Sequence, residues 1–267
     1  MRLMLKKLSL FAGLSLLAAC ATVPITGRRQ LSLVSSGEMN SLASTQYQQF
    51  LGQNRPSTDA ANVALVKRVG QRIQHAVEQY VAQNNMQDQL DGYQWEFNLI
   101  ESKEVNAWCM PGGKVVVYSG ILPLTRDENG LAVVLGHEIS HAVARHGAER
   151  MSDQLATQAG GALLSTALSQ NPTATSNLFL NAVGAGSQGL LLSFSRRQES
   201  EADHLGLIFM AMAGYDPRGA LPFWQRMAAQ NKSTTPVYLS DHPSDATRIA
   251  DIERLLPEAQ KYYKPRR

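Results

Sequence analysis

The spacing of apolar positions along the chain predicts helices and a few short strands. Apolar residues recur every three or four positions over residues 37 to 52 and 59 to 84, which is the period of an amphipathic helix. Residues 95 to 100 and 114 to 118 are rich in β-branched and aromatic residues, and they predict two strands joined through a Pro-Gly-Gly turn. Most of the remaining chain has helical patterning. We therefore predict an α+β fold that is mostly helical, with a small β-sheet.

The start of the chain has the pattern of a bacterial lipoprotein signal. A basic segment precedes an apolar run over residues 8 to 17, and the next motif, Leu-Ala-Ala-Cys, resembles a lipobox ending at Cys20. The alternative, a transmembrane anchor, is disfavoured because the run is shorter than the ~20 residues that a spanning helix needs. We predict a signal peptide at residues 1 to 19, a lipidated N-terminus and tether at residues 20 to 36, and one domain over residues 37 to 267.

Charge and cysteine content limit the classes of partner. Residues 1 to 19 contain three of the 25 basic residues and none of the 22 acidic ones, so their removal leaves 22 of each and no net charge. A nucleic-acid partner is therefore not expected. The chain has two cysteines, and lipidation of Cys20 would leave Cys109 without a partner in the same chain. We expect Cys109 to be a small buried apolar residue.

The run His137-Glu138-Ile-Ser-His141 is an H-E-x-x-H motif within a segment of helical pattern. Residues four apart on a helix lie on the same face, so His137 and His141 can converge on one zinc ion. Glu138 then lies beside the metal, where its carboxylate can act as general base toward a metal-bound water. The acidic residues Asp127 and Glu128 are expected to stabilise the N-terminus of this helix.

A third metal ligand must come from elsewhere in the chain, because a catalytic zinc site usually has three protein ligands. The metzincin pattern would require glycine at position 144 and histidine at 147, but the chain has Ala144 and Gly147. The metzincin class is thus excluded. His146 misses the required position by one residue, and on a straight helix it would point away from the metal. We predict an outer or surface position for it.

About sixty residues downstream, a charged helical cluster offers carboxylates one turn apart. Glu199 and Asp203 form an i, i+4 pair, so Glu199 can bind the metal while Asp203 accepts a hydrogen bond from a ligand histidine. Glu201 is the rival ligand, but on a helix it is turned about 200° from Glu199. Only one of the two can face the zinc. The alternative interpretation is a solvated acidic helix start.

Four separated motifs have to be taken together: the segment 106 to 120, the H-E-x-x-H helix, the Glu199 to Asp203 cluster, and Asp241-His242-Pro243 with Arg248. With these motifs the chain resembles the HtpX-like, CAAX-prenyl-protease-type zinc metallopeptidases of the gluzincin group, most of all the periplasmic lipoproteins of the BepA and LoiP type. The resemblance implies a zincin-like domain with one Zn²⁺ per chain and favours Glu199 as third ligand.

The resemblance also implies that a strand edge borders the active-site cleft and binds substrate by β-augmentation. It assigns this substrate edge to the segment that contains Asn106, Gly113, Val115 and Val117. The alternative for the strand is an ordinary place in the core.

His242 is placed near the cleft by the same resemblance. It is expected to stabilise the oxyanion of the tetrahedral intermediate, or to approach the open zinc position and block it until substrate arrives. The alternative is a helix-entry loop in which the histidine has no role. For Arg248, an ion pair that fixes the loop is favoured over a substrate contact.

Two further patterns in residues 155 to 192 are rejected as motifs. Residues 184 to 189 match G-x-G-x-x-G, and residues 185 to 189 resemble a nucleophile elbow. Only ten residues separate Gly189 from the carboxylate cluster, which leaves no room for a βαβ unit. Close-packed helices, or a lid over the cleft, account for this region.

Together these features predict a zinc-dependent endopeptidase of the bacterial envelope that cleaves unfolded or misassembled polypeptides. Its membrane contact would be the lipid on Cys20, and Ala21 in place of aspartate favours the periplasmic face of the outer membrane. The outer-membrane assembly machinery is a further candidate partner. The alternative function is a chaperone or assembly scaffold for outer-membrane proteins with little or no proteolysis.

Overall fold

The computed structural model describes residues 20–23, 26–159, 172–183, 194–230, 238, 242 and 246–265. Its strands are β1 (Cys20–Thr22), β2 (Arg29–Leu31), β3 (Glu96–Ile100), β4 (Ala107–Met110) and β5 (Lys114–Tyr118). Its α-helices are α1 (Ser36–Gln53), α2 (Ala60–Gln83), α3 (Leu122–Thr125), α4 (Glu128–Val143), α5 (His146–Ala159), α6 (Pro172–Val183), α7 (Arg196–Met212), α8 (Ala220–Gln230) and α9 (Ala246–Tyr262). The predicted mostly helical α+β class is confirmed.

The two early helices form where the apolar spacing predicts them. Ser35 begins α1 with a capping box, in which its hydroxyl accepts from Glu38 N–H and the Glu38 side chain accepts from Ser35 N–H. Asp59 caps α2 with a side-chain oxygen that accepts from Asn62 N–H. The segment predicted as a tether contains more structure than expected, because β1 and β2 pair as an antiparallel hairpin.

The main sheet has three strands in the order β3-β5-β4, with β5 parallel to β3 and antiparallel to β4. The prediction that Val115 and Val117 lie at a strand edge is therefore wrong. Both belong to the central strand, whose two sides are paired, and both are fully buried. The edge strand toward α4 is β4, which the sequence pattern did not predict.

Helix α4 is the centre of the domain. Every residue from Gly130 to Val143 is buried, so the helix is enclosed on all sides rather than along one stripe. It crosses α7 where Gly136 meets Gly206, and a Cβ added at Gly136 would lie 2.9 Å from the Gly206 carbonyl oxygen. This close approach brings the motif residues of α4 against the carboxylates of α7.

The remaining helices enclose this pair and the sheet. In α6, Phe179 and Ala182 are fully buried and belong to the core, while residues 184 to 190, with the glycine-rich pattern, lie outside the described residues. Cys109 is buried and has no disulfide partner in the described part of the chain. No helix in that part is long and apolar enough to cross a membrane.

Candidate metal centre

The H-E-x-x-H motif lies within α4, which begins at the N-cap Asp127. One turn of helix separates His137 from His141, and their Nε2 atoms lie 3.1 Å apart. Both side chains are almost completely buried. The helix therefore directs two imidazole nitrogens to one point.

Helix α7 supplies the carboxylates. Its start is fixed by a capping box between Ser195 and Gln198. A Glu199 carboxylate oxygen lies 3.4 Å from His141 Nε2 and another 3.5 Å from His137 Nε2. Asp203, one turn later, accepts from His137 Nδ1 at 2.9 Å. The geometry thus favours Glu199 over Glu201 as the ligand, with Asp203 orienting the histidine ring.

His242 joins this group from a distant part of the chain. Its Nδ1 lies 2.9 Å from a Glu199 oxygen and 3.1 Å from His137 Nε2. Its Nε2 is 3.6 Å from a Glu138 oxygen. The imidazole therefore lies between the metal-binding atoms and the predicted general base.

Four buried residues can hold one metal ion: the ligand atoms of His137, His141, Glu199 and His242 all lie within 4.8 Å of one another. Imidazole nitrogen and carboxylate oxygen are donors that zinc accepts in a tetrahedral site. One buried oxygen of Glu138 has no hydrogen-bond partner among the described residues. Buried polar atoms are nearly always satisfied, so this orphaned oxygen fits a site that admits water or a metal-bound ligand.

Arg248 of α9 holds the two carboxylates in place. Its guanidinium donates to Glu199 at 3.0 Å and to Asp203 at 2.7 and 2.8 Å, and it lies 3.4 Å from the centre of the Trp224 ring. Sequence reasoning gave Arg248 a role in the loop and missed Trp224, because neither contact has a local signature. Planar guanidinium groups suit such paired carboxylates over an aromatic face.

Electrostatics favour ionised carboxylates beside a charged histidine. Burial tends to raise the pKa of Glu199, but the charges of His242 and Arg248 and bonds from the two motif histidines hold it well below its usual value. Burial and Arg248 lower the pKa of His137, yet its bonds to Asp203 and Glu199 raise that pKa to about 9 overall. Zinc binds the neutral form of imidazole, so its binding must displace any proton on the His137 nitrogen that faces the metal.

Aromatic rings pack against the imidazoles of the centre. The Phe194 ring lies 3.9 Å from the His141 ring, and the Tyr238 ring lies 4.8 Å from that of His242. Burial and the neighbouring Glu138 carboxylate raise the pKa of Tyr238 well above its usual value. Its hydroxyl is therefore a neutral donor close to the centre. Nothing in the sequence indicated that Tyr238 would lie at the metal centre.

A cleft leads to the centre along β4. Asn106, Ala107, Trp108 and Cys109 form one wall, and Glu138, His141 and His242 lie at its base. Of the four residues predicted as substrate edge, only Asn106 lines this cleft. Gly113 forms a turn instead, with φ of +79° and Trp95 packed 2.6 Å from where a Cβ would lie.

His146 is buried behind the ligand histidine His141, so the outer position predicted for it is confirmed and the surface alternative is wrong. Helix α4 ends at Val143, and Arg145 takes a left-handed conformation with φ of 58° that redirects the chain. His146 Nδ1 consequently lies 2.9 Å from His141 Nδ1. The straight helix assumed from the sequence does not exist here. Burial lowers the pKa of both rings, so both are neutral.

A family comparison agrees with this geometry. Residues 67–256 match the model for Peptidase family M48, and this stretch contains both metal-bearing helices and His242. The chain belongs to peptidase family M48. The predicted gluzincin metallopeptidase family is thereby confirmed.

Several named proteases are similar to the chain. Mitochondrial metalloendopeptidase OMA1 of Schizosaccharomyces pombe is 37% identical over 89% of the chain and 67% of its own length. Metalloendopeptidase OMA1, mitochondrial, of Homo sapiens is 29% identical over 89% of the chain and 46% of its own length. The β-barrel assembly-enhancing protease of Escherichia coli is 33% identical over 59% of the chain and 33% of its own length. The mitochondrial relative of S. pombe thus matches at higher identity than the bacterial one.

Proposed function

We propose that this M48 chain is a zinc-dependent endopeptidase that cleaves unfolded or misassembled polypeptides of the bacterial envelope. The observation that carries the proposal is the buried His137, His141, Glu199 and His242 cluster beside the Glu138 carboxylate, of which one oxygen has no hydrogen-bond partner among the described residues. A protein that only binds its partners needs no general base next to a metal site. The complete set of groups therefore favours hydrolysis over scaffolding.

The mechanism assigns one role to each side chain. His137, His141 and Glu199 would hold zinc, which when bound supplies a Lewis acid that polarises a water molecule and the scissile carbonyl. Glu138 takes the proton from that water as it attacks, and then gives a proton to the leaving amine. Asp203 and Arg248 keep His137 and Glu199 in orientation.

The proposed substrate-binding edge is the side of β4 that faces away from β5, with which no described strand pairs. Tyr118 N–H donates to the Asn106 carbonyl, so alternation along the antiparallel pair directs the backbone groups of Ala107 and Cys109 away from β5. Ala107 N–H donates to the Asn106 side-chain oxygen at 2.8 Å, which leaves the Ala107 carbonyl and both backbone groups of Cys109 as the candidates for pairing. An extended peptide can pair with these groups and lie along the wall of the cleft. Because backbone pairing makes few demands on side chains, it suits unfolded polypeptides of varied sequence.

His242 is proposed to close the resting site. If the His242 imidazole bound the metal together with the three proposed ligands, the zinc would have four protein ligands. Such a closed site would leave no position for water. The proximity of His242 Nδ1 to Glu199 and His137 supports this gating role over the oxyanion role. Substrate binding in the cleft would have to displace the imidazole before cleavage.

Replacing His242 with alanine tests the two roles. If the imidazole gates the site, His242→Ala should raise the rate at which small unstructured peptides are cleaved. If it stabilises the oxyanion, the same change should lower kcat by about ten- to a thousandfold. Steady-state kinetics with a fluorogenic peptide distinguish the two, and rates equal to those of the native chain would mean that His242 has neither role.

The envelope location rests on the N-terminal pattern and on the bacterial relatives. The Leu-Ala-Ala-Cys20 motif supports lipidation, and the E. coli relative bears the name β-barrel assembly-enhancing protease. The OMA1 relatives are named as mitochondrial, so the shared family does not by itself fix the compartment. In bacteria, a Cys20→Ala variant should lose its place in the outer-membrane fraction, whereas retention there would contradict a lipid anchor.

A trapping experiment tests the substrate class. The full chain carrying Glu138→Gln, expressed in bacteria under envelope stress, should retain uncleaved envelope polypeptides that the native chain degrades. Mass spectrometry of the retained proteins identifies them, with a Glu138→Gln, His137→Ala double variant as the control lacking a metal ligand. If Glu138→Gln fully replaces the native chain in stressed cells, a scaffold function is correct and the proteolytic proposal fails.

A further inference from the structure

A second buried polar cluster lies directly behind the metal ligand His141. It consists of His146 and Glu149 from α5, Glu201 from α7, and Thr26 and Arg28 from the turn between β1 and β2. The side chains of His146, Glu201 and Glu149 are 0, 4 and 8% exposed, and that of Arg28 is 12% exposed. None of them belongs to the metal-binding group itself.

Hydrogen bonds connect this cluster to the metal ligand in an unbroken series. His141 Nδ1 lies 2.9 Å from His146 Nδ1, and His146 Nε2 lies 3.1 Å from a Glu201 oxygen. Arg28 Nε donates to the same Glu201 oxygen at 2.7 Å, and the Thr26 hydroxyl donates to the other. The series runs from the zinc-binding ring to the N-terminal hairpin.

Metal binding gives every bond in the series one direction. When His141 Nε2 carries the lone pair toward the metal, its Nδ1 must carry the proton and donate to His146. His146 then accepts at Nδ1 and donates from Nε2 to the Glu201 carboxylate. That carboxylate is also the acceptor for Arg28 and Thr26, so no donor faces another donor.

The hairpin is held firmly at its end of the series. The remaining nitrogens of Arg28 donate to both oxygens of Glu149, at 2.5 and 2.8 Å. The Gln30 side chain donates to the carbonyl of Ala144, at the end of α4, at 2.9 Å. A planar guanidinium can bridge two carboxylates in this way, whereas a lysine ammonium cannot.

We propose that the paired strands β1 and β2, together with Thr26 and Arg28, are a positioning element for the metal site. Arg28 and Thr26 fix Glu201, Glu201 fixes His146, and His146 fixes the ring of His141. Outer partners of metal-bound histidines raise metal affinity by orienting the ring. Because coupling between two binding events is reciprocal, metal binding also stabilises the docked hairpin. This inference rests on the metal site of the proposed function and links that site to the segment that follows the predicted lipidation site Cys20.

Zinc affinity of the full chain tests the proposal. Arg28→Lys keeps the positive charge but removes the planar guanidinium group that donates to both glutamates. Glu201→Gln keeps the shape of the side chain but replaces the carboxylate with a neutral amide. Each should weaken zinc binding by about 10- to 100-fold in competition with a chelator. Arg68→Lys is the matched control, because Arg68 pairs with Glu128 at the far end of the metal helix and is 46% exposed. Equal affinities for Arg28→Lys and Arg68→Lys would overturn the proposal.

Amide hydrogen exchange distinguishes coupling to the metal from a purely structural role of the cluster. A purely structural role would make exchange in the hairpin independent of zinc. In the native chain, zinc should slow amide exchange in residues 26 to 31 relative to the zinc-free form, and Glu201→Gln should abolish this difference. Exchange in the hairpin that is unaffected by zinc would contradict the coupling. Neither measurement requires cleavage, so a failure of the proteolytic proposal remains distinguishable.

A milder variant decides the question if the charged variants unfold. Thr26→Val removes one hydrogen bond to Glu201 and leaves all of the ion pairs intact. It should weaken zinc binding by about two- to tenfold, the effect of a typical hydrogen bond. Native affinity in Thr26→Val together with unfolding of both charged variants would show that the cluster only stabilises the fold.

Discussion

Glu138→Gln is expected to lower the rate of cleavage of an unfolded protein by two to four orders of magnitude, while the zinc content stays at one ion per chain. The amide keeps the shape of the side chain but cannot accept the proton of the attacking water, and general bases contribute about 10²- to 10⁴-fold. Glu138 is not among the four metal-binding residues, so the ligand set is unchanged. Single-turnover cleavage and metal analysis of the same sample measure both quantities.

A second glutamate of the same helix provides the control. Glu128 lies at the first turn of α4, where it pairs with Arg68, and it is nine residues before His137 along the same helix. Glu128→Gln should therefore cleave at the native rate. A Glu138→Gln variant that cleaves as fast as Glu128→Gln would exclude the proposed mechanism.

Glu199→Gln is expected to have the largest effect on metal binding. Its carboxylate lies within 3.5 Å of both motif histidines, and a neutral amide is a much poorer zinc ligand. The loss of zinc affinity should exceed the roughly 100-fold upper range for an outer partner. Chelator competition gives the affinity, and thermal unfolding of the zinc-free form shows whether the fold is retained.

Glu201→Gln is the matched comparison, two residues along the same helix. Glu201 bonds to His146 and Arg28 rather than to the motif histidines, so its replacement should weaken zinc binding less than Glu199→Gln does. The reverse order of affinities would mean that the wrong carboxylate has been assigned to the metal.

Features that depend only on residues close together in the sequence could be predicted. The H-E-x-x-H spacing requires only one helix, and the i, i+4 relation of Glu199 to Asp203 requires only another. Both relations follow from helical geometry without knowledge of the fold. The two early helices could be predicted equally well, because Ser35 and Asp59 are residue types that cap helices. Each precedes a segment in which apolar residues recur at the helical period of about 3.6 residues.

The parts that depend on contacts distant in sequence could not be predicted. Strand β4 has only four residues, and whether β5 is central or at an edge depends on pairing with β3 and β4. The burial of His146 depends on the left-handed backbone conformation of Arg145, which is uncommon for residues other than glycine and is not indicated by the sequence. The bond between Arg28 and Glu201 spans 173 positions, so no local pattern records it.

The most direct test of the central claim is removal and return of the metal. The purified full chain should cleave an unfolded model protein, lose that activity on complete chelation, and regain it when about one equivalent of zinc is added per chain. The Glu199→Gln variant, treated in the same way, should not recover at that concentration. Cleavage that persists in the chelated native chain, at a metal content below one tenth of an equivalent, would contradict the account.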